Sequence, residues 1–124
     1  MLKDKRKITG GLGEDLAEKY LRARGYSVIE KNFRTPFGEI DLIAERDGCL
    51  VFLEVKTRLS ERFGPPLSAV TWEKKKRIVK NCQYYLKTRK LLWGPCRIDV
   101  MGIKLDRFLR IEVLKYVKNA IEIN

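Results

Sequence analysis

The apolar residues of this chain follow two different spacings. In "LGEDLAEKYLRAR" the residues Leu16, Ala17, Tyr20 and Leu21 recur at three- and four-residue intervals, which predicts a helix over Leu12–Arg24 that Gly25 ends. A β-branched and aromatic run, "YSVIEKNFR", then predicts a first strand, and "TPFG" a turn over Thr35–Gly38. Strands over Glu39–Arg46 and Cys49–Arg58 follow, joined by Asp47-Gly48, a dipeptide suited to a two-residue hairpin. The segment "LSERFGPP" is expected to be loop, because Pro65 and Pro66 interrupt regular structure. Thr71 is placed to cap a second helix reaching about Thr88, with an apolar stripe of Ile78, Val79, Cys82, Tyr85 and Leu86. "CRIDVMGI" and "FLRIEVLKYV" supply two last strands around a turn at Asp106-Arg107. The order is α-β-β-β-α-β-β, an α/β chain with about five strands and no internal repeat.

One strand breaks its own pattern. "LVFLEVKTR" is apolar on both faces through Leu53, which is the signature of a strand covered on both sides, yet Glu54 and Lys56 follow. With Asp47 and Gly48 as turn residues, antiparallel partners have numbers summing to 95, so Asp41 falls opposite Glu54 and Glu39 opposite Lys56. Alternation then puts Glu39, Asp41 and Ile43 on the face of Phe52, Glu54 and Lys56. Two carboxylates about 5 Å apart repel by about 3 kcal/mol at an effective dielectric of 20. A hard divalent cation between them removes that penalty, and Mg²⁺ suits a site of few carboxylates. The alternative is a surface network in which Glu39 pairs with Lys56 while the other carboxylates face water.

Composition narrows the chemistry further. The 124 residues contain no histidine, which excludes Ser-His and Cys-His nucleophilic pairs and any histidine-based metal site. Cys49, Cys82 and Cys96 are odd in number and lack CxxC spacing, so they read as reduced, small hydrophobes. A net charge of +11 predicts an anionic partner, nucleic acid foremost, the alternative being a basic soluble protein without one. The length fits a single domain over residues 1–124, with 1–10 a basic, flexible start and 117–124 a tail that packs on a neighbour or on its own domain. With no apolar run long enough for a membrane span and no secretory signal pattern, a cytoplasmic protein is expected.

"GEIDLIA", a short hairpin and "VFLEVKTR" together resemble the PD-(D/E)xK nuclease superfamily. With "GEDLAEKYLRARGY" before and "RIDVMGI" after, the chain resembles the YraN-like uncharacterised family, a relative of archaeal-type Holliday junction resolvases, over Gly11–Ile103. The resemblance implies a restriction-endonuclease-like mixed sheet flanked by helices. It also implies a Mg²⁺-dependent endonuclease, with Mn²⁺ as substitute, hydrolysing phosphodiester bonds in branched or structured DNA. By the same resemblance Asp41, Glu54 and the Val55 carbonyl bind the metal, Lys56 positions the attacking water, and Glu14 joins from the first helix, directly or through water. Ile40 replaces the proline of the motif's name, a position without a ligand role. The alternative is a non-catalytic or partner-dependent nucleic-acid-binding module of the same fold.

Helical geometry puts Glu14 about 20° from Leu21, at the border of the buried stripe, so it either leans over the sheet or serves only as a helix-start carboxylate. In "EKKKRIVK", Lys74 lies one turn before Ile78 and is the residue expected to reach a phosphate near the sheet, with Arg77 beside it. Arg34 and Arg58 are further DNA-backbone candidates. Trp72 and Trp93 either stack on bases or pack, and Asp99 either follows the family pattern or pairs with Arg97. Cleavage of a four-way junction would suit a two-fold homodimer.

Overall fold

The computed structural model describes residues 5–59, 71–91 and 94–123, with side chains from residue 10 onward. Its elements are α1 (Lys5–Ala23), β1 (Ser27–Thr35), β2 (Gly38–Arg46), β3 (Cys49–Leu59), α2 (Trp72–Thr88), β4 (Cys96–Leu105) and β5 (Ile111–Ile121). The five strands form one sheet in chain order, β3 and β4 parallel and the other neighbours antiparallel, so the sheet is mixed, as expected. A helix covers each face. Ala17 and Leu21 of α1 pack on Leu42, Ala44, Val51, Leu53, Met101 and Ile103. Ile78, Cys82, Tyr85 and Leu86 of α2 pack on Ile40, Ile43, Phe52, Ile98 and Val100.

Local chemistry explains most boundaries. Gly25, at φ +85°, closes α1 while Tyr26 N–H returns to Leu21 O at 3.0 Å. Asp47 and Gly48, both at positive φ, make the tight β2–β3 turn. The Thr71 hydroxyl accepts the Lys74 N–H at 3.3 Å and caps α2. All three cysteines are free thiols.

Three boundaries differ from expectation. α1 begins at Lys5, seven residues early, and so runs through part of the basic segment expected to be flexible. Gly10 and Gly11 lower helix propensity there, but they lie within the helix. The β4–β5 connection spans Asp106–Arg110 instead of two residues, and Asp106 organises it with its carboxylate. β5 therefore starts at Ile111 and continues to Ile121, which is buried, so residues 117–121 of the expected tail belong to the sheet. Pro65, Pro66 and Trp93 lie outside the described residues.

Asp99 is fully buried on β4, and it is the centre of a polar cluster. Arg97 Nε donates to both of its oxygens at 3.0 and 3.1 Å, Tyr116 OH to Oδ2 at 2.5 Å and Asn119 N–H to Oδ1 at 2.8 Å. Arg97 Nη2 in turn donates to Tyr26 OH at 2.6 Å. Asn119, at φ +50°, sits where the β4–β5 register shifts, so Asp99 accepts the N–H that the shift releases. The pairing of Asp99 with Arg97 is thus structural. Removing one partner of a buried charge pair typically costs about 3–5 kcal/mol. Asp99→Ala is expected to lose that much in urea denaturation; a loss below about 1 kcal/mol would contradict this role.

Candidate active site

The site forms where two ladders come apart. The β2–β3 pairs follow the expected sum of 95 from Arg46↔Cys49 to Leu42↔Leu53 and then stop. Beyond that point β2 stays with β1, as in Ile40↔Phe33 and Glu39↔Arg34, while β3 stays with β4, as in Glu54↔Val100 and Lys56↔Gly102. Asp41 has no partner in either ladder, and Asn32, which would face it on β1, is held at φ +51°. The alternation of β2 breaks there as well, since Ile40 and Ile43 both pack toward α2 whereas Leu42 packs toward α1.

Three expectations are corrected by this break. Asp41 is not paired with Glu54 in a ladder, since the β2–β3 pairs stop at Leu42 and Glu54 lies level with Val100 of β4. Glu39 does not face Lys56 in a ladder; Arg34 Nε approaches Glu39 Oε2 at 3.9 Å, and Lys56 Nζ lies 3.6 Å from Glu54 Oε2. Ile43 does not share a face with Asp41 and Glu39. The period-two argument requires continuous pairing, and pairing ends one residue before Asp41.

Inside the gap, Asp41 Oδ2 accepts the Val55 N–H at 2.8 Å, replacing with a side chain the bond that a paired strand would supply. A strand residue directs its N–H and C=O toward the same neighbour, so the Val55 carbonyl also faces this gap. Carboxylate oxygens of Glu14, Glu39 and Asp41 lie within 4.8 Å of one another. Asn32 Nδ2 donates to Glu14 Oε1 at 2.8 Å and to Glu39 Oε1 at 3.3 Å, bridging helix and strand. Glu54 comes from the α2 side, among Phe52, Ile78, Asn81 and Cys82.

Two residues outside the motif fix the geometry. Gly13 precedes Glu14, and a Cβ there would stand 1.8 Å from Thr57 Oγ1 and 3.0 Å from Thr57 Cβ. Its absence lets α1 lie directly against β3 and carries Glu14 to Asp41. Asn81, buried within the apolar stripe of α2, accepts the Thr35 hydroxyl at 2.5 Å and donates to the Glu39 carbonyl at 3.3 Å. A polar residue inside that stripe was the available signal for Asn81. Asn32 had a weaker one, asparagine's tolerance of left-handed backbone.

The electrostatics follow from the crowding. Burial pushes Glu54 up to about 8, reinforced by the charge and hydrogen bond of Asp41 and opposed by Lys56. Burial pushes Glu14 up to about 7, with Asp41, Glu39 and Asp15 adding to it and Lys31 opposing. All these side-chain donors are hard oxygens. In an octahedral magnesium shell opposite oxygens are about 4.2 Å apart, so small side-chain rotations would close the cluster around one ion. The residues present therefore fit a divalent metal.

The basic candidates are distributed around this end of the sheet. Arg34 is almost fully exposed beside Glu39, Lys74 is half-buried on α2, and the exposed Arg77 lies against Gly38. Half-buried Arg58 follows Lys56 on the same face of β3 by alternation. Trp72 is exposed, with Lys76 Nζ 5.6 Å from its ring centroid, so it does not pack in the core. No helix among the described residues is long and apolar enough to cross a membrane.

The sequence pattern of the family described as "Uncharacterised protein family UPF0102" matches residues 13–103. The UPF0102 protein of Dictyoglomus turgidum is 40% identical over 114 residues, covering 92% of this chain and 97% of its own. That of Clostridium perfringens strain ATCC 13124 is 39% identical over 122 residues, 98% of this chain and 100% of its own. Among solved structures, Pyrococcus furiosus SfsA in complex with Ca²⁺ aligns with a TM-score of 0.42 and 15% identity, over 94% of this chain and 65% of that one, a likeness too loose to bear on the site.

Two measurements test the geometry. Unfolded carboxyls ionise near 4.5, whereas Glu14 and Glu54 do so at about 7 and about 8, so the native chain holds extra protons between those values. Stability of the metal-free protein is therefore expected to fall as pH rises from about 4.5 to about 8, and Glu54→Gln to flatten the upper part of that fall in denaturation at several pH values. Gly13→Ala, which would gain about 1 kcal/mol in an ordinary helix, is expected to lose about 1–3 kcal/mol here because Oγ1, Cβ and Cγ2 of Thr57 all crowd the added methyl, so rotating the hydroxyl away does not clear it. A stabilised Gly13→Ala would contradict the close approach.

Proposed function

The chain belongs to the uncharacterised family UPF0102, and from its site we propose that it is a Mg²⁺-dependent endonuclease of the PD-(D/E)xK type acting on branched or structured DNA. The observation that carries this reading is the convergence of Glu14, Glu39, Asp41 and Glu54 with Lys56 on the gap between β2 and β3. Carboxylates crowded this way cost stability in the absence of a cation, and structural salt bridges do not need four of them.

Asp41, Glu14 and Glu39 would hold the ion, with Glu54 and the Val55 carbonyl adjoining. A divalent ion there would supply a Lewis acid for the phosphoryl oxygens. Lys56 supplies the organic charge: its ammonium, held by Glu54, is positioned to orient a water and to stabilise negative charge developing on the phosphate. The bond from Val55 fixes Asp41 on the sheet's backbone, which gives the site the rigidity that positioning requires. Arg34, Arg58, Lys74 and Arg77 would hold flanking phosphates, and a net charge of +11 would draw the polyanion in.

Labelled four-way junction, flap, single-stranded and duplex DNA, incubated with Mg²⁺, Mn²⁺ or EDTA, test the reading. Cutting is expected with either metal and not with EDTA. Asp41→Asn and Lys56→Ala are expected to slow it at least about 100-fold without changing DNA affinity more than a few-fold. Full activity in either variant, or cutting in EDTA, would sink the proposal.

A further inference from the structure

Two aromatic side chains project from the same end of the sheet as the carboxylates, and neither belongs to their cluster. The parallel pairing of β3 and β4 sets Lys56 level with Gly102 and Leu59 level with Leu105, so the β4–β5 turn leaves the sheet at the end toward which Lys56 lies. β2 runs the other way, so the turn between β1 and β2 leaves at that end too. Phe108 in the first turn is 64% exposed and Phe37 in the second 44%. Each ring is matched with cations. The guanidinium carbons of Arg107 and Arg110 lie 5.3 and 5.0 Å from the Phe108 centroid, and Lys80 Nζ lies 5.5 Å from that of Phe37.

The Phe108 turn is firmly tied. Asp106 Oδ1 accepts the N–H groups of Phe108 and Arg110 at 2.8 and 3.0 Å, and Oδ2 meets Arg110 Nε at 3.3 Å. Two backbone bonds between Asp106 and residues 109 and 110 close the loop, leaving Leu109 at φ +61°. Such a loop presents its phenylalanine to solvent in a fixed position, where a slack one would let the ring fold back. Counting six residues onward from the level of Lys56, the ring lies roughly 20 Å or less beyond that level along the strand direction, a span of about six nucleotide steps.

Arg110 is already paired with Asp106, so the charge this tip offers is that of Arg107 on a chain of net charge +11, and a ligand that suits it is anionic with flat apolar faces for the ring. Nucleic acid does so only where bases are unstacked, because a regular duplex hides those faces in its stack. We propose that Phe108, flanked by Arg107 and Arg110, is a wedge that stacks on an unpaired base at a DNA branch point, with Phe37 and Lys80 contacting the strand on the other side of the carboxylates. The inference rests on the nuclease reading for the site that it serves, and its test does not require cleavage.

In EDTA, anisotropy titrations compare wild type, Phe108→Ala and Phe108→Trp on a four-way junction carrying 2-aminopurine at the branch and on a duplex of equal arm length. Phe108→Ala is expected to weaken junction binding about tenfold and duplex binding less than about twofold, with the branch fluorophore no longer perturbed, while Phe108→Trp restores both. Equal weakening on both DNAs would overturn the wedge, as would an unchanged junction affinity, the result expected if the tip meets a protein. Wild-type cutting with Phe108-independent binding would leave the nuclease reading standing alone. Phe108-dependent junction binding by a protein that cuts nothing would leave the wedge standing alone, and failure of the wild type to bind either DNA would overturn it.

Discussion

The hydrogen bond from Val55 N–H to the Asp41 carboxylate sets the arrangement of the whole site. A sheet that lets two neighbouring strands diverge leaves backbone donors and acceptors unpaired in its interior, and each such group carries a substantial free-energy cost. Here the residue at the point of divergence satisfies one donor with its own carboxylate. That single contact permits β2 to leave β3, opens a gap through the sheet, and fixes a negative charge on its edge. Glu14 approaches it from the α1 side and Glu54 from the α2 side.

The surroundings are arranged to keep the gap from collapsing. Asn32 in its left-handed conformation interrupts the β1–β2 ladder opposite Asp41 and ties Glu14 to Glu39. Asn81 holds the backbone of Glu39 from beneath, and Gly13 lets α1 come close enough for Glu14 to take part. None of these three carries charge, and each determines where a charged group stands. Burial, reinforced by the neighbouring carboxylates, raises Glu14 and Glu54 and leaves the site under electrostatic strain. A protein selected only for stability would relieve that strain, as the Asp99 cluster does by giving its buried carboxylate four donated hydrogen bonds.

The fold was largely legible because each element carried a local signal: the apolar stripes of both helices, the Asp47-Gly48 hairpin, the Thr71 cap. Glu54 and Lys56 stood out as charges in a strand otherwise apolar on both faces, and the hairpin led from Glu54 to Asp41 on the neighbouring strand. What sequence reasoning missed lies where local rules are broken by tertiary contact. Alternation assumes a continuous ladder, and so misplaced Ile43 and the partner of Glu39 once the ladder stopped at Leu42. The β4–β5 turn was read too short because Phe108 and Leu109 look like strand residues; the carboxylate of Asp106, not the apolarity of its neighbours, decides the backbone there. Gly13 lay inside the expected helix with no role assigned to it, because what matters there is the close approach that its missing side chain allows.

The distribution of charge bears on how such a site would select DNA. A net charge of +11 provides attraction to any polyanion, and the lysines of α2 and the arginines near Glu39 and Lys56 add to it without reading structure. The gap adds no discrimination either, since every phosphodiester presents the same group to it. Selectivity for a branched substrate must therefore come from contacts that a regular duplex cannot make. At this end of the sheet the exposed rings on the two hairpin tips lie on either side of the gap, and they would gain contact area only where a base has left its stack. Under the proposed nuclease reading, electrostatics would set how tightly the chain holds DNA, the carboxylates where bond cleavage occurs, and the aromatic tips which DNA is held long enough to be cut.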